Sequence, residues 1–404
     1  MPKNQKNFFA QKNPWSEVKD NLLGGYLPQY FQKVLMTYKP IFYVDCFAGK
    51  GKFDDGSLGS PLIALDARSI CVNQTHQRNP IINCCFIDLY HAGDLENNIS
   101  SYQFGSGYPK VISGRYENEI VQLLSAQSGS NVFLYIDPYG IKALDISLFD
   151  QFANIGSIEI LINMNSFGFF RDACRAMSVP YHEEDSLDDL VEYDPTIVNP
   201  SPQSIQMLNG IAGGEYWQVI VRDYKNEQID GFEAEKRFSY EYKQRLRRNY
   251  SYVLDMPIRL KPKHRPKYRM IHLSNHADGC LLMADNMSSR SDELFVDIQD
   301  KGQQQLFEQD TENMLIDINE IKRKVAAHID RYPNQKNINT RLAIFFTENG
   351  VLCKSGQVCD AFKEMELAGT IEVTRNPAET NTGKQSTFFT ESNGKSVIIQ
   401  KRCP

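Results

Sequence analysis

Short, almost uninterrupted apolar runs recur along the first three hundred residues, and they leave little choice of fold. The clearest are Ile41–Val44, Ile81–Ile87, Asn131–Ile136 and Ile158–Met164, with a weaker one at Lys110–Ser113. Each has strand length and little polar alternation, so each is expected to be a buried strand. Helical patterns separate them. Trp15, Val18, Leu22, Leu23, Tyr26 and Leu27 share one helical face, and Glu117–Ser125 carries another such pattern. Strands alternating with helices predict an α/β fold, a Rossmann-like doubly wound sheet, mostly parallel and covered on both faces. Three runs end in an acid: Asp45, Asp88 and Asp137. In such sheets ligands bind at the carboxyl ends of the strands.

At 404 residues the chain is expected to form two or three domains. Residues 1–40 are predicted to be helical, entered at Asn13-Pro14. Residues 41–290 carry the Rossmann-like pattern, closed by a strand near Arg269–Asn275 and a helix at Gly279–Met287. Within them, 178–255 is expected to be an inserted helical and basic region or lid, because acids and prolines replace the apolar runs at its start. Trp217–Phe238 and Ser239–Arg248 are predicted helices. The Gln-rich stretch 291–312 is predicted to be a linker. In 313–404, helical patterns at Ile316–Ile329, Asn339–Glu348 and Ser355–Gly369 precede two extended runs, Thr370–Arg375 and Gln385–Thr390. That order predicts a C-terminal winged helix-turn-helix. Its third helix carries Asp360, Glu364 and Glu366 against Lys363, a poor surface for phosphate, so protein contacts are expected before DNA.

Composition narrows the function classes. No apolar run reaches membrane-spanning length, and the start of the chain lacks a signal-peptide core, so a cytoplasmic protein with no membrane partner is expected. The nine cysteines include no Cys-X-X-Cys pair, which predicts reduced, buried thiols; no metal site is expected. The net charge of −6 is uneven. Residues 236–269 hold twelve Lys and Arg against Glu241 and Asp255, a local charge of +10 that leaves −16 elsewhere. Arg245, Arg247, Arg248, Lys261, Lys263, Arg265 and Lys267, interleaved with Tyr240, Tyr242, Tyr250, Tyr252 and Tyr268, could neutralise phosphates and stack on bases of RNA or DNA. A solvated helix face backed by core tyrosines is the other reading.

Asp45-Cys-Phe-Ala-Gly-Lys-Gly51 follows the first strand. It lacks the third glycine of the dinucleotide fingerprint. It resembles the first motif of S-adenosylmethionine (SAM)-dependent methyltransferases. Under that resemblance Phe47, Ala48, Gly49 and Gly51 admit the cofactor, and Asp45 lies near its amino group. Lys50 reaches its carboxylate or a phosphate. Asp88, at the tip of strand two, is either the ribose ligand or a solvated strand end. Ser60-Pro61 predicts a helix start, with Ser60 as N-cap beside the glycine loop. Asp137-Pro138-Tyr139-Gly140 resembles the Asp/Asn-Pro-Pro-aromatic turn with which methyltransferases hold an acceptor amine, though the second proline is missing and the aromatic comes one place early. The alternative is a turn whose Asp caps nearby amides. No Pro-Cys-Gln or Ser/His/Asp arrangement is present.

Together, Trp15, Tyr43–Gly51, Asp55–Leu62, Phe86–Asp88, Tyr135–Gly140, Asn163–Phe167, Gly213–Trp217 and Met270–His276 resemble the three-Cys-motif partner proteins over most of residues 10–290. The resemblance implies a class I methyltransferase type of Rossmann domain, often followed by a winged helix, and a neighbouring partner of the radical-SAM kind. The expected function is SAM-dependent methyl transfer to nucleic acid at an amino group. The alternatives are a non-catalytic scaffold for the three-Cys partner and a DNA-binding regulator.

Overall fold

The computed structural model describes residues 9–77, 79–100, 102, 109–127, 129–181, 199–259, 266–301 (backbone alone for 295–301), 317–391 and 394–402. It divides into two compact units, Met1–Asn275 and His276–Pro404.

The first unit opens with helix α1 (Pro14–Leu35) and strand β1 (Ile41–Asp45). There follow α2 (Ser60–Gln74), β2 (Ile82–Asp88), α3 (Ala92–Ile99), β3 (Lys110–Ser113), α4 (Tyr116–Ser125) and β4 (Asn131–Ile136). Then come α5 (Ile146–Phe152), β5 (Ile158–Met164), α6 (Ser166–Ala176), α7 (Pro202–Ala212), α8 (Tyr216–Lys225), α9 (Gly231–Leu246), β6 (Tyr252–Ile258) and β7 (Tyr268–Ser274). The strands form one seven-stranded mixed sheet in the order β3-β2-β1-β4-β5-β7-β6. The first five are parallel; β7 runs antiparallel to both β5 and β6. This is an α/β, mostly parallel sheet consistent with a Rossmann-like fold. Every residue of β1, β4, β5 and β7 is buried, which is why their sequences read as apolar runs rather than alternations.

Helix α1 covers one face with Tyr26, Tyr30 and Phe31, whose rings pack on Tyr43 and Phe133. The other face is covered by α4, through Tyr116, Ile120 and Leu124, and by α5 to α9. Of the expected insertion 178–255, residues 182–198 lie outside the described residues, and the rest is more than a lid. Leu208, Ile211, Trp217, Val221, Phe238 and Tyr242 belong to the central core, and β6 is a strand of the sheet. The helix expected over Trp217–Phe238 is broken: Glu227 takes φ 56°, and Asp230 caps α9 by accepting from the Glu233 amide at 2.8 Å.

The second unit begins with α10 (Ala277–Lys301), which continues through the stretch expected to open the linker. It packs on α12 (Ile338–Asn349): Asn339 Nδ2 donates to Asp278 at 2.6 Å. The unit also holds α11 (Ile318–Arg331), β8 (Lys336–Asn337), α13 (Ser355–Leu367), β9 (Ile371–Asn376) and β10 (Ser396–Lys401), with sheet order β8-β10-β9. The partner of β9 is thus 396–401, not 385–390. Alternate burial of Val397 and Ile399 gives β10 an apolar face over the helices, whereas 385–390 forms only an isolated bridge from Gln385 to Glu379. No described helix is long and apolar enough to cross a membrane.

Candidate functional site

Strand β1 delivers its chain to the carboxyl edge of the sheet, where the glycine loop is tied down on both sides. The Cys46 amide donates to Tyr135 of β4 at 2.9 Å, and the Ala48 amide to Ile87 of β2 at 3.0 Å. Gly49 and Gly51 take φ of 59° and 76°. The backbone angle at Gly51 calls for glycine, and a Cβ there would lie 2.6 Å from Leu95 Cδ1, so that side chain would have to shift.

Asp88 clamps this loop. It is buried; its Oδ2 accepts from the Gly49 amide at 2.9 Å and its Oδ1 from the Tyr90 and His91 amides at 2.8 and 2.6 Å. Neither a solvated strand end nor a side chain on the cleft wall describes it. Ser60 also differs from expectation. Helix α2 begins at Ser60, Gly59 is the N-cap, and the Ser60 side chain instead acts on the Asp45 carboxyl, whose pKa it lowers.

The loop and the Asp137 turn meet in one cleft that opens to solvent. Of the expected site residues, Phe47, Ala48, Gly49, Gly51, Asp137, Pro138 and Tyr139 line it, whereas Asp45, Lys50 and Asp88 do not. Lys50 lies over the Phe9 ring, 4.9 Å from its centroid. Tyr268 of β7, one of the tyrosines of the basic segment, also lines it, and so do residues not anticipated as site residues: Ser16, Lys19 and Asp20 of α1, Asn163 of β5, and Phe9 and Phe53.

Asp137 accepts from Lys19 Nζ at 2.9 and 2.7 Å, from Asn163 Nδ2 at 2.7 Å and from the Tyr135 hydroxyl at 3.4 Å. Those contacts use the acceptor positions a carboxylate offers. Lys12 pairs with Asp20 at 2.7 Å. Lys19 and Asp20 interrupt the apolar face of a helix, and in sequence such charges look solvated. Asn163 left a clearer signal, a polar residue inside an apolar strand.

Asp45 is fully buried, and its Oδ2 has no hydrogen-bond partner. Burial raises its pKa from 3.8 to about 7, opposed by the Ser60 and Phe47 bonds and reinforced by Asp137 and Asp20. Burial likewise raises Asp20 to about 6 against the pull of Lys12. Between the unfolded value of 3.8 and the folded value of about 7, the folded chain holds a proton at Asp45 that the unfolded chain has released. Folding stability from this group therefore falls as pH rises through that window. Asp45→Asn is expected to flatten this part of the stability profile in urea titrations at stepped pH; an unchanged slope would contradict the assignment.

The basic segment does not form one face. Lys243 pairs with Asp255, Arg245 with Glu241, and Arg269 with Glu235 and Asp255. Register separates the rest. Strand β7 starts at the carboxyl end of β5, Arg269 opposite Met164, and β6 starts at the other end, Tyr252 opposite Ser274. Arg247 and Arg248 precede β6 and so sit at the amino edge of the sheet, Arg245 lies in α9 over the Tyr216 ring, and Lys267 precedes β7 at the cleft edge. Lys261, Lys263 and Arg265 lie outside the described residues.

The eight described cysteines are buried and unbridged. No group of His, Cys, Asp and Glu able to hold a metal ion occurs among the described residues. Compared with known protein families and with curated proteins, the chain matches no family model and no curated protein.

Proposed function

We propose that this chain is a SAM-dependent methyltransferase acting on nucleic acid. The observation that carries the reading is the convergence of the β1 glycine loop and the Asp137-Pro138-Tyr139 turn in one cleft. The cleft lies at the carboxyl edge between β1 and β4, where the strand order reverses, which is the ligand position of doubly wound sheets. The three-Cys-motif partner resemblance points the same way.

The residues fit the methionine end of the cofactor. Lys19 on the cleft wall suits a carboxylate and the glycine loop lets a ligand approach the backbone, while Asp45, buried behind that wall with its Oδ2 unpartnered, answers an ammonium group in the cleft through its field. When bound, the cofactor supplies an electrophilic methyl sulfonium. At the ribose end Asp88 is already engaged by three amides, so its part in this reading is to hold Gly49 in place. An acceptor amine can bond to Asp137 only by displacing one of its present donors.

Titration calorimetry with SAM tests the reading. An ammonium beside Asp45 stabilises its carboxylate, so binding near pH 7 is expected to release a proton and to tighten as pH rises from about 6 to 8. Proton release shows as a dependence of the binding heat on buffer ionisation enthalpy. Asp45→Asn should abolish that dependence and weaken binding, because the negative charge behind the wall is lost. Folded wild type that binds no SAM would sink the reading.

A second reading, a scaffold for a three-Cys-motif partner, draws on the C-terminal unit. Its three helices α11 to α13 and the sheet β8-β10-β9 support a winged helix. Helix α13 exposes Asp360 and Glu364 and ends on Leu367, which is 89% exposed; this surface suits a protein better than phosphate.

A further inference from the structure

Two helices bring their positive ends to the cleft. A Cβ on Gly24 would lie 3.3 Å from Ile63 Cγ2, and farther along Gln32 Nε2 donates to Gln74 at 2.8 Å, so α1 and α2 run side by side in the same direction. Their first turns reach the cleft wall together, Ser16 from α1 and Gly59 and Ser60 from α2. Neither N-cap, Asn13 or Gly59, makes a side-chain cap bond. The amides of a first turn have no acceptor within their own helix. Two parallel helix dipoles with adjoining positive ends are unfavourable until an anion lies beside them. Ser16 points to such an anion independently. It is 7% exposed, it lines the cleft, and its hydroxyl has no hydrogen-bond partner among the described residues. One turn farther along α1, Lys19 Nζ gives bonds of 2.9 and 2.7 Å to the two Asp137 oxygens. An ammonium has three donors, which leaves one for a ligand.

We propose that the first turn of α1, through Ser16 and Lys19, binds the carboxylate of an α-amino-acid headgroup at these paired helix ends. Charge selects that occupant over a phosphate. Asp20 and Asp137 line the same cleft, and Asp45 is buried behind its wall. A phosphate dianion would face those acids. An α-amino acid carries an ammonium next to its carboxylate and answers both signs at once. The Ser16 hydroxyl and amide donate to the carboxylate, while the helix ends and Lys19 supply the positive field. The inference rests on the cofactor reading above and assigns the residues that hold the amino-acid end. A free amino acid carries the same headgroup, and the test separates the two sources.

The test is titration calorimetry on the full chain with SAM and with decarboxylated SAM, which lacks the carboxylate alone. Wild type should prefer SAM by roughly tenfold or more, in keeping with hydrogen bonds to a charged group. Ser16→Ala should weaken SAM binding by roughly fivefold and leave decarboxylated SAM unchanged, so the preference narrows. Ser16→Asp should abolish SAM binding by like charge and spare decarboxylated SAM. Circular dichroism identifies a Ser16→Asp chain that fails to fold, and Ser16→Ala then carries the test alone. Trp15 stands in the same turn, so tryptophan fluorescence follows L-methionine and inorganic phosphate on the same preparations. Equal affinity for SAM and decarboxylated SAM, or equal loss of both with Ser16→Ala, overturns the inference and leaves the cofactor reading standing. Inorganic phosphate binding more tightly than L-methionine also overturns it. L-methionine binding that weakens with Ser16→Ala, without SAM binding, upholds the carboxylate site and fells the cofactor reading. Folded wild type that binds neither SAM nor L-methionine overturns both.

Discussion

Arg269→Met is expected to lower the free energy of unfolding of the first unit by about 3–5 kcal/mol in a urea titration. Arg269 donates from Nε at 2.7 Å and Nη2 at 2.9 Å to Glu235, and from Nη1 at 2.8 Å to Asp255. The Arg269 and Glu235 side chains are 5% and 2% exposed. Burial pushes the Glu235 pKa up, but Arg269, Ser166 and Ser239 more than offset it, and the carboxyl stays below its ordinary range. Without Arg269 a buried carboxylate keeps its desolvation cost and loses its counter-charge. The native pair itself adds little net stability, because both ions lost their hydration. Arg269→Met with Glu235→Gln should therefore regain much of the loss, since Gln keeps an acceptor for the two serine hydroxyls. The two tryptophans, Trp15 and Trp217, both lie in the first unit, so their fluorescence follows it alone. A single variant as stable as wild type would show that the network tolerates an unpaired charge.

Asp137→Ala is expected to lower kcat for methyl transfer about 100-fold or more, a loss typical of a misplaced reacting group, while SAM still binds. Asp137 is held from three elements, by Lys19 of α1, Asn163 of β5 and Tyr135 of its own strand. That grip fixes the turn that places Pro138 and Tyr139 on the cleft wall. Lys19→Met should cost a similar factor, and the double variant should be little worse than either single one, because the two side chains act as one unit. Labelled-methyl transfer in single turnovers gives the numbers. Full activity of Asp137→Ala would remove this turn from the chemistry and favour the scaffold reading.

At and just behind the cleft wall, Asp20, Asp45 and Asp137 are in mutual electrostatic contact and are answered by Lys12 and Lys19.

The sequence by itself determined the local elements. Apolar runs of strand length specified β1, β2, β4 and β5, and Gly49 and Gly51 marked the turn that follows β1, because only glycine takes those angles freely. Asp137-Pro138-Tyr139 was visible as a strand-end turn. Only the tertiary structure decided what those pieces face. The direction of β7 is set by its pairing with β5, and a run of apolar residues carries no mark of direction. That direction sends Lys267 to the cleft edge and leaves Arg248 at the far edge, although the two stand nineteen positions apart in one basic stretch. Lys19 with Asp137 at the cleft and Arg269 with Glu235 in the core join residues 118 and 34 positions apart. Local propensity and spacing act over a few residues, whereas charge pairing and burial are settled only when distant segments pack and lose their water together.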